Sequence, residues 1–242
     1  MSEPLALLGP DHDGLGEVSA REAPGGRFAL AISRGRANRA LAHGNEDACG
    51  LAFLADGRLL AIVADAHFGD ASSRVLVETL IELAGAPGGR LDLVFAFREA
   101  SRRLAAAGSR SECAAVAALV DGRRVAWAAV GDCRAYHVPK EAPEKARELT
   151  PVGDRYLGRY ERSPEVATGE ATLWAGDRLV LATDGLPECV YGVETLEAAE
   201  VGALAARGAP LPAARALVER ALERGGEDNV AVAVLELLTA RG

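Results

Sequence analysis

No apolar run in the sequence approaches the roughly 20 residues that a membrane span requires. The opening stretch MSEPLALLGPDHDG lacks the basic start of a secretory signal, so the cytoplasm is the expected location, with no membrane partner. No C-x-x-C pair occurs among Cys49, Cys113, Cys133 and Cys189, a pattern that fits reduced thiols better than a disulfide framework or a zinc site. Blocks of like charge are missing as well. The 35 acids and 27 bases are interspersed to a formal net charge of -8, which argues against nucleic acid or an anionic membrane as the main partner. With no repeat of fixed period, 242 residues at 49% apolar point to one large domain with a sizeable core.

What is present reads in blocks. Residues 1–26 are rich in Gly and Pro and are expected as a loosely ordered lead-in to a domain over 27–242. DHDG lacks the later ligands of a calcium loop and reads as a turn. From Phe28 the text is mostly short β-like runs. Asp56-Gly57 and Asp121-Gly122 join apolar segments as hairpin turns do. Between these hairpins, 72–86 and 91–107 carry apolar residues at three- and four-residue intervals and predict a pair of helices. PKEAPEKARE reads as a charged loop or short helix, and the stretch from Leu149 to Ala171 has no long periodic run. A strand at about 178–183, helices at about 195–207 and 211–224, the turn GGED and a final strand NVAVAVLELL complete the chain. Hairpins and helix pairs in blocks predict an α+β fold of antiparallel sheets with helices packed outside.

Three apolar runs end on a bare acid: LLAIVAD at Asp65, VAWAAVGD at Asp132 and LVLATD at Asp184. Taken singly, such an Asp is a turn residue or a helix N-cap. Three of one kind point to a shared rim where strands leave the core. Asp228 precedes the last strand, and Glu46-Asp47 stand between strands. Carboxylates gathered in a poorly solvated cleft repel, by roughly 4 kcal/mol for a pair about 4 Å apart at an effective dielectric of about 20. A cation must offset this. With four His and no clustered thiolates, an oxygen-rich site suits Mg²⁺ or Mn²⁺ and points to phosphate chemistry.

NED, VADAHFG, AAVGDCRAY, LATDGL and EDNVAV, in this order between about Phe28 and Leu238, resemble the metal-dependent PP2C/PPM protein phosphatases. The resemblance implies a four-layer α-β-β-α sandwich with the metals in a cleft at one end of the central β-sandwich. It implies that Asp65 bridges two ions, that the carbonyl of Ala66 helps bind one, and that Asp184 and Asp228 hold the other. Glu46 and Asp47 would anchor waters around the ions, and Asp132 would serve a third, weaker site shared with Asp184. Asn229 would shape the turn after Asp228. The implied chemistry is an activated water attacking phosphorus in line, with no covalent phosphoenzyme and with His67 as general acid for the departing oxygen. Asp65 and His67 are thus the expected catalytic residues.

The sequence also departs from the family pattern. Ala42 stands where the family commonly carries a phosphate-binding Arg, and Arg39, His43 or another nearby cation is left to take that part. Ala66 replaces a Gly, Phe68 and Asp70 add bulk and charge near the mouth, and Ser111-Glu112-Cys113 replaces Gly-Thr-Thr. The stretch after Thr150 is short, so a reduced flap and an open site with modest peptide specificity are expected. The leading reading is a Mn²⁺- or Mg²⁺-dependent protein serine/threonine phosphatase whose substrate is a phosphorylated protein and whose partner is a Ser/Thr kinase that it opposes. Two alternatives stay open: a catalytically weak or inactive phosphatase-like regulatory or binding module, and a phosphatase for small phosphomonoesters.

Overall fold

Antiparallel pairing builds the whole framework of the computed structural model, which describes residues 3–88, 90–158 and 165–237. In chain order the elements are β1 (Leu5–Leu8), β2 (Ser19–Glu22), β3 (Phe28–Ser33), the short helix α1 (Arg39–Ala42), β4 (Ala48–Phe53) and β5 (Leu59–His67). The helix pair α2 (Ala71–Ala84) and α3 (Leu93–Ala106) follows, then β6 (Glu112–Asp121), β7 (Arg124–Val130), β8 (Arg134–Val138), β9 (Arg147–Glu148), β10 (Ala167–Thr172) and β11 (Arg178–Ala182). The chain closes with α4 (Ala198–Ala205), α5 (Pro210–Arg224) and β12 (Val230–Glu236). One sheet has the order β1-β4-β5-β6-β7-β10 and the other β2-β3-β12-β11-β8-β9.

The central strands are apolar on both faces because both faces are covered. Residues such as Ala61, Val63, Val116, Leu179 and Ala233 meet between the sheets. Their neighbours Leu60, Ile62 and Ala115 pack under α2 and α3 with Leu76, Leu80 and Phe97, while Val180, Val232 and Val234 pack under α4 and α5 with Leu204 and Leu217. The layers are therefore helix, sheet, sheet, helix, as the resemblance implied. Burial of Ala213, Ala214, Leu217, Val218, Ala221 and Leu222 gives α5 its three- and four-residue apolar spacing. At the start of α3, Asp92 accepts the Phe95 N–H at 3.0 Å.

Residues 3–26 differ from the expectation for this stretch. Instead of a loose lead-in, β1 pairs with β4, β2 pairs with β3, and Leu7 is buried between the sheets. Both are four-residue edge strands separated by turns, too short for a periodic signal. The strand β10 was equally invisible. It pairs with β7 at the other edge, half-buried in alternation, with Gly169 set where Trp127 leaves no room for a Cβ. The flap expectation falls partly on 159–164, outside the described residues.

Candidate metal centre

The acids occupy one end of the sandwich because the strands that carry them end there. Asp65 lies near the end of β5, Asp132 just before β8, Asp184 two residues beyond β11, and Asp228 two residues before β12. One carboxylate oxygen from each of Asp65, Asp132 and Asp184 lies within 4.8 Å of the others, and Asp65 and Asp184 are buried. Two glycines of the sequence motifs make this approach possible. Gly131 adopts φ 80° against Ala114, and a Cβ on Gly185 would overlap the Asn229 carbonyl oxygen, so the loops after β11 and before β12 touch through backbone.

The remaining predicted residues surround this triple. Asp47 is buried and accepts the Thr183 hydroxyl at 2.8 Å. Glu46 accepts the Gly69 N–H at 2.8 Å, while its own N–H donates to Asn229 Oδ1 at 2.8 Å. Asn229 also donates from Nδ2 to the Arg34 carbonyl at 2.8 Å, so it ties the Glu46 loop to the Asp228 turn. Asp228 stands apart from the triple. Its Oδ1 accepts the Asn229 N–H at 2.9 Å, and its Oδ2 lies 3.0 Å from Arg39 Nη1. Ala66 continues the extended strand without positive φ, as its replacement of glycine requires. The His67 ring packs edge-on against Tyr156, with centroids 5.2 Å apart.

Electrostatics make the cluster compatible with a bound cation. Burial pushes the Asp65 carboxyl well above the usual range, and Asp47, Asp228 and Asp132 push it further, opposed by a hydrogen bond with Asp184. Burial likewise raises Asp184, with Asp65, Asp132 and Asp228 adding to it. Asp47 is raised by burial against the pull of Thr183, and Asp132 and Asp228 by burial as well. Asp47 Oδ1 and Asp132 Oδ1 are buried without a hydrogen-bond partner among the described residues. Orphaned carboxylate oxygens facing like charges fit hard divalent cations, which oxygen ligands hold best.

Several supports escaped sequence reasoning. Asp13, from the stretch read as a turn, accepts the Asn45 N–H at 2.7 Å and pairs with Arg34 at 3.2 Å. Arg34 in turn donates to the Ala40 and His43 carbonyls at 2.8 and 2.9 Å, fixing α1 beside the site. The Ser111 hydroxyl donates to the Gly69 carbonyl and bonds Ser72 Oγ at 2.7 Å, which gives the altered β6 start a role in holding the turn after His67. Arg134, buried two residues beyond Asp132, reaches Glu148 at 3.0 Å, Glu194 at 3.3 Å and Glu188 at 3.5 Å, joining β8 to the loop after Asp184. The motif spacing gave these contacts no signal because none follows the repeat of a single helix or strand.

Residues 55–238 match the family profile described as Stage II sporulation protein E (SpoIIE). Among solved structures, a bacterial serine phosphatase superposes with a TM-score of 0.73 at 17% identity, over 93% of this chain and 100% of that one. The serine/threonine phosphatase PstP/Ppp of Mycobacterium tuberculosis gives 0.68 at 25% identity, over 88% and 99%. Stp1 of Staphylococcus aureus, a serine/threonine phosphatase, gives 0.73 at 18% identity, over 92% and 96%. No curated protein sequence matches the chain.

Proposed function

The chain belongs to the SpoIIE family, whose fold is PP2C-like, and on that premise we propose that it is a divalent-metal-dependent phosphatase acting on phosphoserine or phosphothreonine in proteins. The observation that carries this reading is the approach of Asp65, Asp132 and Asp184 to within 4.8 Å in a buried end of the sandwich. These residues, with Asp228, would hold Mn²⁺ or Mg²⁺, with Asp47 and Glu46 shaping the hydration around the ions. When bound, such ions supply an activated water for attack on phosphorus. Arg39 would orient the phosphate, since its guanidinium already lies 3.0 Å from an acid of the cluster and so answers the Ala42 departure. His67, steadied by Tyr156, would give the leaving oxygen its proton.

The test is hydrolysis of p-nitrophenyl phosphate and of a phosphothreonine peptide with Mn²⁺, with Mg²⁺ and with chelator, comparing wild type with Asp184→Asn. Metal-dependent turnover lost in the variant is the expected result. Its absence from a folded, metal-loaded wild type would leave a binding module as the better reading. Faster turnover of small esters than of any phosphopeptide would move the substrate class to small phosphomonoesters.

A further inference from the structure

Among the described residues, the left-handed backbone positions are fifteen glycines, Asn38 and Phe68. Asparagine tolerates this region, whereas a phenylalanine there crowds its own Cβ against the backbone. Phe68 holds φ 62° and is 67% exposed. The turn that carries it is fixed. Gly69 donates to Glu46 and accepts from Ser111, and the Asp70 carbonyl accepts the Ser73 hydroxyl at 3.0 Å. Asp70 also lies 3.9 Å from Arg74, so the turn beside His67 offers an exposed ring more than a charge. Phe68 follows His67 directly and Asp65 by three residues, which limits its backbone to about 10 Å from the acid at full extension. Strain retained beside a reactive centre is a mark of function.

We propose that Phe68 is a substrate-recognition residue, whose ring takes up an apolar side chain next to the phosphorylated serine or threonine of a protein substrate. The proposal rests on the phosphoprotein reading above. An aromatic face without a polar handle gains most by covering apolar surface, and a ring held on a fixed turn gives up little freedom on contact.

The experiment compares wild type, Phe68→Gly and Phe68→Leu on p-nitrophenyl phosphate and on two phosphothreonine peptides, one flanked by leucine and one by lysine. The same peptides are titrated calorimetrically. Glycine relieves the strain, so Phe68→Gly is expected to melt at or above the wild-type temperature. It should keep p-nitrophenyl phosphate turnover within about twofold and lose about tenfold or more in kcat/KM on the leucine peptide, mainly through KM, with Phe68→Leu between. Equal losses on ester and peptide, unchanged peptide kinetics, or a loss confined to the lysine peptide would each overturn it. If the wild type turns over no substrate, the phosphatase reading fails. Peptide affinities then decide Phe68: a drop in Phe68→Gly for the leucine peptide alone upholds the recognition role, and no drop ends it.

Discussion

Arg39 Nη1 lies 3.0 Å from Asp228 Oδ2, and the Arg39 guanidinium stacks over the Tyr191 ring at 4.4 Å from its centroid. One cation is therefore held at the edge of an acid cluster by a carboxylate beneath and an aromatic face beside it. Both contacts restrain a long side chain that would otherwise pay rotamer entropy on meeting a ligand.

A charge-assisted hydrogen bond to phosphate contributes about 1.5–3 kcal/mol, equivalent to roughly a 10- to 100-fold change in binding. Arg39→Ala is expected to raise KM for phosphate esters by about that factor and to lower kcat less, with Arg39→Lys between because a point charge lacks the guanidinium fork. Positions 39 and 42 share a helix face, so adding Ala42→Arg to Arg39→Ala should recover part of the loss. An unchanged KM in Arg39→Ala would remove Arg39 from phosphate binding.

Asp184 lies with Asp65 and Asp132 in the triple, burial raises these three and Asp228, and the neighbouring carboxylates raise Asp65 and Asp184 further. Asp184→Asn removes one of these charges while keeping the shape. The metal-free variant is expected to be more stable by about 1–2 kcal/mol, or roughly 2–8 °C in Tm for a chain of this size. The same variant should lose the rise in Tm that Mn²⁺ gives the wild type. Differential scanning calorimetry with and without chelator reads both, and a lower metal-free Tm would refute the repulsion.

The pH dependence of the metal-free protein follows from the same carboxyls. Each is raised above its ordinary value of 3.8, so between that value and the raised one the folded state binds more protons than the unfolded state. Their contribution to stability is full below the ordinary value and is lost as pH rises through the raised values. Acids held low, such as Glu99 and Asp177, change stability only at more acidic pH. The chelated protein should therefore show a Tm that falls as pH rises above the ordinary carboxylate value, and saturating Mn²⁺ should abolish the fall because ions need the deprotonated carboxylates. A Tm that rises over this range under chelator would contradict it.

Much of this was legible in the sequence where runs and motifs are long. Apolar runs ending on Asp65, Asp132 and Asp184 located the rim, and the helices at 71–84, 93–106 and 210–224 followed from periodicity. Edge strands such as Leu5–Leu8 and Ala167–Thr172 were hidden because a strand paired on one side needs only a few apolar residues. Asp13 and Arg34 were hidden for a different reason. Their partners, Ala40 in α1 and His43 and Asn45 just after it, meet them through backbone groups, which no pattern of side-chain types records. Arg39 could be named from the sequence, but only the fold of α1 brings it to Asp228.

Gly185 offers the sharpest separation of site geometry from general stability. A Cβ there would overlap the Asn229 carbonyl oxygen, and neither loop can yield without moving its acid, since Asp184 and Asp228 adjoin the contact. Gly185→Ala should cost about 1–3 kcal/mol of stability by overpacking and weaken Mn²⁺ binding by roughly 10- to 100-fold, as shifts in groups that support metal ligands do. Gly57→Ala is the control: its left-handed turn at φ 88° has nothing within 4 Å of a new Cβ, so it carries a backbone penalty without touching the acids. Calorimetric Mn²⁺ titration of both variants should show weakened binding for Gly185→Ala alone. Equal affinities in the two would mean that the close approach of these loops does not set the ligand geometry.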